Sequence, residues 1–241
     1  MNHLAGTANH NIGLCHMYAQ EYVQAKACFE DAVKIREAAL GKDHPAVASS
    51  LLFIGMIYMV KGDPQRSIET FSRVLKLVRK SKGRGTIQAA QVLNNIAVAQ
   101  YHQAKYHDAF RTMFKANSTL RKVLRTSRNV KSDNAGTPLF KQTKTTEIAL
   151  SYTLRNLGFL YHRQGDYRDA LMAYEESCKI QQKHECFRFS DIGSVEINLQ
   201  HVREMIGNDS QREKVEEEYN KLNDCTTLDK AIEEFKKFIR C

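Results

Sequence analysis

The sequence predicts an all-α protein in which pairs of helices stack on one another as a solenoid. Helix-favouring residues dominate, and the chain of 241 residues has only three prolines and no tryptophan. Gly13, Gly55 and Ala97 follow one another at intervals of 42 residues, each preceded by isoleucine, and Gly158 continues the series after 61 residues. A fixed period of this kind indicates a repeated unit that buries its apolar face only against its neighbours.

Each repeat is predicted to be an antiparallel helix pair, with the residue of this series, here called the anchor, on the first helix. Large residues four and one positions before the anchor, and three after it, share one face of that helix. The second helix carries a small residue 12 positions after the anchor and an aromatic residue or methionine 16 positions after it. These pairs are Ala25 and Phe29, Ser67 and Phe71, Ala109 and Met113, and Ala170 and Tyr174.

The turns between paired helices agree with this organisation. Lys61–Pro64 and Gln164–Tyr167 each contain a glycine that can end one helix and an aspartate that can cap the next. Pro64 falls at the first helical position, where a missing N–H costs nothing. Gln20–Tyr22 and Ala104–Tyr106 occupy the same turn without glycine.

This pattern of an anchor, a small residue and an aromatic residue at fixed spacing resembles the tetratricopeptide repeat. It occurs in four copies between Leu4 and Lys183. The 42-residue period and the linker Ala38–Ala48 are similar to those of kinesin light chain repeats. The resemblance implies a right-handed superhelix whose first helices line the concave side. We expect four units within 1–187, at about 4–42, 46–84, 88–127 and 148–187, followed by a degenerate fifth unit and capping helices in 188–241.

Two segments depart from the repeat. The surplus between the third and fourth anchors predicts a basic loop insertion at 126–145, around the turn-rich run Asp133–Pro138. The segments 208–223 and 227–240 lack the repeat signature and are predicted to cap the stack. The second of them has an apolar stripe formed by Ala231, Phe235, Phe238 and Ile239.

The net charge of +9 is concentrated in two clusters, 76–84 and 121–146. Such clusters can bind nucleic acid, so a nucleic-acid-associated helical-repeat protein is the alternative function. No aromatic-interleaved motif accompanies the charge, which favours the simpler interpretation of solvated helix ends and a basic loop.

Catalytic and metal-binding motifs are lacking in the sequence. There is no glycine-rich phosphate loop, and His102, His107 and the run His184–Cys186 have poor spacing for a metal. We therefore expect neither an enzyme nor a cofactor. The six cysteines form no C-x-x-C pair, and no signal peptide or membrane-length apolar run is present. These features predict reduced thiols and a cytoplasmic location, with cytoskeletal association as a further option.

Asparagine recurs two positions before the anchors, with phenylalanine in the second unit. An asparagine amide can bond both the C=O and the N–H of an extended peptide. Families related to the tetratricopeptide repeat, which this sequence resembles, use ladders of asparagine in this way. The alternative is that each asparagine satisfies a neighbouring helix. The residues of this column are Asn11, Phe53, Asn95, Asn156 and Asn198.

The same concave face is predicted to be apolar and methionine-rich at its N-terminal end and basic at its C-terminal end. The alternative for the apolar end is burial against another segment of the chain or an N-terminal extension. Its expected members are Leu14, Met17, Leu52, Met56, Met59, Val98, Tyr101, Phe159 and His162, with Arg155 and Arg163 at the basic end.

The sequence thus predicts a protein–protein interaction scaffold or adaptor. Its ligand is expected to be an extended peptide of a protein partner, acidic at one end and with an apolar anchor at the other. The candidate groove residues are Asn11, Phe53, Met56, Asn95, Tyr101, Arg155, Asn156, Phe159, Arg163 and Asn198.

Overall fold

A computed structural model describes residues 3–128, 138–184 and 189–207. These residues contain nine α-helices and no strand, as the sequence predicts. The helices are α1 (His3–Tyr18), α2 (Tyr22–Leu40), α3 (Pro45–Val60), α4 (Pro64–Lys82), α5 (Ile87–His102), α6 (Tyr106–Arg128), α7 (Pro138–Gln164), α8 (Tyr167–Lys183) and α9 (Phe189–Gly207).

The described chain divides into two compact units. Unit 1 comprises the residues up to Arg84 together with Val98–Lys105, and unit 2 comprises Gly85–Ala97 and the described residues from Tyr106 onward. In unit 1, α2 packs against both α1 and α3, and α3 packs against α4. In unit 2, α7 packs against both α6 and α8, and α8 packs against α9.

The anchor glycines allow a ring of the second helix to lie directly against the backbone of the first. A Cβ atom at Gly55 would lie 2.5 Å from Phe71, and one at Gly158 would lie 2.9 Å from Tyr174. Gly13 has the same relation to Phe29, also at 2.9 Å. All three rings are fully buried, so each aromatic residue fills the space between the two helices of its pair.

The turn at Gly62 has the predicted caps. Gly62 has a φ of +72°, and Asp63 Oδ1 accepts a hydrogen bond of 3.0 Å from the backbone N–H of Arg66. The prediction of a side-chain cap at Asp166 is wrong, because its side chain makes no capping hydrogen bond. In the turns without glycine, Gln20 and Ala104 adopt φ values of +62° and +58°, a region that side chains with a Cβ rarely enter.

The structure differs from the predicted basic loop at 126–145 at both ends of that segment, and residues 129–137 lie outside the described residues. α6 extends to Arg128 and α7 begins at Pro138, so both ends of the predicted loop are helical. Leu124 and Thr146, just outside the two ends of this segment, are buried, and α6 packs against α7. α7 begins 20 residues before its anchor, compared with 10 in α1, α3 and α5. The predicted capping segments, 208–223 and 227–240, lie outside the described residues.

A buried polar network joins the first three helices of unit 1. Arg36, which is buried, donates hydrogen bonds of 2.8 Å to the carbonyl oxygen of Ala46 and to Ser50 Oγ. Ser50 Oγ lies 3.0 Å from His10 Nδ1. Because Ser50 accepts from Arg36, its hydroxyl can donate to His10, which keeps that ring nitrogen an acceptor. Burial, with a further contribution from Arg36, lowers the pKa of His10 to about 4.

We expect His10 to make the stability of the protein depend on pH. Between pH 6.5 and 4 the unfolded chain binds a proton at His10 and the folded chain does not, so acidification through this range is destabilising. After allowance for the half-buried position of the ring, the loss is about 1–2 kcal/mol. Urea unfolding at pH 7 and pH 4.5 should show a smaller loss in His10→Gln than in the wild type. The variant and the wild type share all the other histidines. Equal losses of stability in the two proteins would therefore contradict this assignment.

Candidate functional site

The residues of the predicted asparagine column differ in their exposure. Asn11 is exposed and Phe53 is half-buried in unit 1, whereas in unit 2 Asn95 is only 8% exposed and Asn156 and Asn198 are half-buried. The ring of Phe53 stacks on that of Phe29, with centroids 5.0 Å apart. This position therefore faces the preceding helix pair in unit 1, where a side chain packs rather than projects into solvent.

Asn156 is already engaged by a neighbouring helix. Its Nδ2 donates a hydrogen bond of 3.1 Å to Oδ1 of Asn94, which joins α7 to α5 within unit 2. This contact corresponds to the alternative given in the sequence analysis, in which an asparagine of the column bonds a neighbouring helix. Asn94 was missed by the sequence prediction because it lies three positions before its anchor rather than two. Both amides are half-buried, so the bonded pair still reaches the surface.

The α7 face, defined here as Tyr152, Arg155, Phe159 and Arg163, is the clearest candidate site in unit 2. Its members lie three or four residues apart on one helix and therefore share a side. The guanidinium of Arg155 lies 5.3 Å from the centroid of the Tyr152 ring. Tyr152, Arg155 and Phe159 are half-buried and Arg163 is exposed. Tyr152 was absent from the predicted site, although its spacing from Arg155 and Phe159 was a usable signal.

The face is positively charged without any contribution from histidine. His162 is buried beside it, with ring contacts to Tyr167 and His201. Burial, followed by the nearby charges of His201 and Arg163, lowers the pKa of His162 to about 4. The imidazole is therefore neutral near pH 7, and the charge of the α7 face comes from its two arginines.

The three methionines of the predicted apolar floor are buried, as in the alternative interpretation of burial against another segment. Met56 is only 2% exposed, and Met17 and Met59 are also buried. Methionine is flexible and fills irregular gaps in a core, which is the role that these side chains have in unit 1. Tyr101 is half-buried in unit 1, where its ring contacts that of His102.

The two basic clusters differ in their surroundings. In α4, Arg73 bonds Glu37 and Lys80 bonds Asp43, so acids of α2 and of the linker that follows it neutralise part of that helix. Hydrogen bonding to Lys80 lowers the pKa of Asp43. The second cluster is divided between the end of α6 and the start of α7.

His184 takes part in an internal network of hydrogen bonds with Glu147 and Lys183. Its Nε2 lies 2.9 Å from Oε2 of the buried Glu147, which also accepts a bond of 2.8 Å from Lys183 Nζ. In the part of the chain that the structure describes, no group of three potential metal ligands occurs. None of the described helices has a stretch long and apolar enough to cross a lipid bilayer.

Sequence and structure comparisons agree on a repeat family. Tetratricopeptide repeat profiles match residues 4–59, 47–113 and 150–184. No curated protein sequence matches the chain.

Two solved structures have the same fold. BtubC (BKLC) from P. vanneervenii has a TM-score of 0.62 at 19% identity, with 93% of this chain and 75% of that chain covered. The Q17M form of a kinesin light chain-like protein from Podosopora anserina, described as having nearly identical TPR-like repeats, has a TM-score of 0.61 at 15% identity. Both chains are fully covered in that second comparison, at 100% each. At these identities the similarity concerns the fold alone.

Proposed function

The chain belongs to the tetratricopeptide repeat family, with repeats similar to those of kinesin light chains, and from this premise we propose that the α7 face binds an acidic peptide. Tetratricopeptide repeats support a role as a protein–protein interaction scaffold, and the fold is typically not catalytic. The proposed ligand is an extended segment of a protein partner that carries a carboxylate beside an apolar side chain.

The position of Arg155 on the Tyr152 ring is the observation that carries this proposal. A guanidinium held against an aromatic face loses little further freedom on binding, and its N–H edge can pair with a carboxylate through two parallel bonds. Arg163, two helical turns beyond Arg155, adds a second cation for an acidic segment.

Phe159 and the Asn94–Asn156 pair supply the other two components of recognition. Phe159 is half-buried one turn from Arg155, so it offers apolar area to a ligand side chain. The bond between the two amides leaves Asn156 Oδ1 and Asn94 Nδ2 as an acceptor and a donor for a peptide backbone. The apolar anchor is therefore proposed at Phe159, in place of the methionines, which are buried.

We expect Arg155→Glu to weaken binding of an acidic peptide by about tenfold or more, because a charge-assisted pair becomes a repulsion. The probe is a fluorescein-labelled pool of twelve-residue peptides with two fixed acidic residues, a leucine or phenylalanine four positions later, and random residues elsewhere. Fluorescence anisotropy at 50 mM salt gives the affinity. A second pool with Asn and Gln in place of the acids measures the contribution of charge.

Arg168→Glu is the matched control, because Arg168 is an exposed arginine on α8 that does not belong to the α7 face. It changes the net charge of the protein by the same amount. The proposal fails if both variants lose affinity equally, or if Arg155→Glu binds the acidic pool as the wild type does.

We also propose a cytoplasmic location for this scaffold. The free thiols of Cys15, Cys28 and Cys178 support a reducing compartment.

A further inference from the structure

A row of cations follows the solvent-exposed side of α6. The α6 stripe, defined here as Arg111, Lys115, Lys122 and Arg125, consists of exposed side chains on a helix of 23 residues. At 3.6 residues per turn, the four positions fall within an arc of about 80°. The stripe is about 21 Å long, since each helical residue adds 1.5 Å.

The charge of the stripe is largely unmatched. Arg111 pairs with Asp108 at 3.2 Å, whereas Lys115, Lys122 and Arg125 form no ion pair among the described residues. Glu147 of α7 is buried and already bonded to Lys183 and His184, and Glu176 of α8 is already paired with Arg121. No acidic side chain of the first turns of α7 is therefore left to neutralise the stripe.

α4, which belongs to unit 1, carries exposed cations that are paired with acids. Arg73 and Lys80 of α4 are each bonded to an acid that precedes α3. Acids of another segment can therefore pair with the cations of a helix in this chain, but none of the described acids pairs with Lys115, Lys122 or Arg125. An unmatched row of like charges raises the free energy of the isolated protein, and an acidic partner would remove that repulsion.

Phe114 lies at the edge of the stripe and is 54% exposed. Its position is one helical turn before Ser118, which lies in the middle of the row. An exposed phenyl ring among cations suits a partner that combines carboxylates with an apolar side chain. Phosphate groups would satisfy the cations but would leave the ring in water, and no second exposed aromatic residue lies on the stripe for base stacking.

We propose that the α6 stripe is a second docking surface, which binds an acidic amphipathic helix of a protein partner. Carboxylates one turn apart on such a helix match the spacing of Arg111, Lys115, Lys122 and Arg125, and an apolar residue covers Phe114. The surface is separate from the α7 face, because α6 and α7 supply different residues to each. Its occupancy does not depend on the peptide proposed for the α7 face.

The test uses the full chain and a designed probe. The probe is a fluorescein-labelled peptide of 21 residues that repeats Glu-Leu-Glu-Glu-Ala-Leu-Glu, and a version with Gln for every Glu is the charge control. Binding is measured by anisotropy at 50 and 200 mM salt. We expect the acidic probe to bind the wild type, to bind more weakly at the higher salt concentration, and to be favoured over the Gln version.

Three variants locate the binding. Lys115→Glu with Lys122→Glu should lower the affinity by about tenfold or more, and Phe114→Ala by about threefold. Lys76→Glu with Arg79→Glu makes the same change of charge on exposed positions of α4 and should stay within about twofold of the wild type. Circular dichroism is used to check that each variant retains its helices.

Three results would overturn the proposal. One is equal loss of affinity in the α4 and α6 double variants, which would indicate only a general effect of net charge. Another is a fluorescein-labelled uridine 12-mer that binds more tightly than the acidic probe and depends on Lys115 and Lys122, which would assign the stripe to nucleic acid. The third is self-association of the wild type, seen by sedimentation and abolished by the α6 double variant, which would assign the stripe to a second copy.

Discussion

Replacing Gly55 by alanine is expected to destabilise the protein by about 2–3 kcal/mol, near the upper end of the usual effect of overpacking. The added Cβ would lie 2.5 Å from Cε1 and 2.7 Å from Cδ1 of Phe71. The Phe71 ring is fully buried and cannot turn into solvent to relieve the overlap. The helices must therefore separate, although alanine has a higher helix propensity than glycine.

Gly85→Ala is the control for this substitution. A Cβ at Gly85 meets no atom within 4 Å, and its φ does not lie in the left-handed region, so its stability should change by less than about 0.5 kcal/mol. Urea unfolding followed by circular dichroism measures both variants. Equal midpoints for Gly55→Ala and the wild type would show that the ring can move aside.

The third repeat of the chain suggests how the loss can be reversed. Its anchor is Ala97 and the matching second-helix residue is Met113, which is buried. A methionine can bend around a methyl group, whereas a phenyl ring cannot. The double variant Gly55→Ala with Phe71→Met should therefore be more stable than the sum of the two single effects predicts, by about 0.5 kcal/mol or more.

Replacing Arg36 by methionine is expected to destabilise unit 1 by about 2–4 kcal/mol. Methionine retains much of the apolar stem but removes the donors to the Ala46 carbonyl oxygen and to Ser50 Oγ. Burial lowers the pKa of Arg36, which shows that the guanidinium is partly desolvated. The two hydrogen bonds offset the cost of desolvating the guanidinium in the folded chain. In Arg36→Met the two acceptor oxygens would lose these bonds, with no water molecule to replace the donor.

Lys34→Met is the matched control, because Lys34 is an exposed residue of the same helix whose ion pair with Asp31 lies at the surface. Its loss should be less than about 0.5 kcal/mol. Arg36→Met should also raise the pKa of His10, since the charge of Arg36 contributes to lowering that pKa. Thermal unfolding and an NMR titration of the His10 ring measure the two effects. Similar losses for Arg36→Met and Lys34→Met would refute the role of the network.

The repeat pattern was predictable because it follows from local packing. A glycine or alanine anchor, a small residue 12 positions later and a large residue after 16 positions meet within one helix pair, whatever lies around it. Ala25, Phe29, Ser67, Phe71, Ala109, Met113, Ala170 and Tyr174 are all buried, as that rule requires. The cap at Asp63 was predictable for the same reason, since its hydrogen bond closes within one turn.

The site was less predictable because it depends on how one pair packs on the next. Whether Met56 faces solvent or the core cannot be read from its own helix, and it proved to be buried. The partner of Asn156 is Asn94, which lies 62 residues earlier in the sequence and one position away from the expected column. The helical ends of the predicted loop were missed because polar residues dominate there and few positions, such as Ser127, are buried.

The length of α7 gives unit 2 a mechanical property. α7 has 27 residues without a positive φ, Gly158 included, and is about 40 Å long as an unbroken helix. It packs against α6 and begins 20 residues before its anchor, compared with 10 in the other first helices, whereas Tyr152, Arg155 and Phe159 lie nearer its other end. We therefore expect α7 to move as one rigid helix. A partner that tilts its first turns would also displace the side chains of the α7 face.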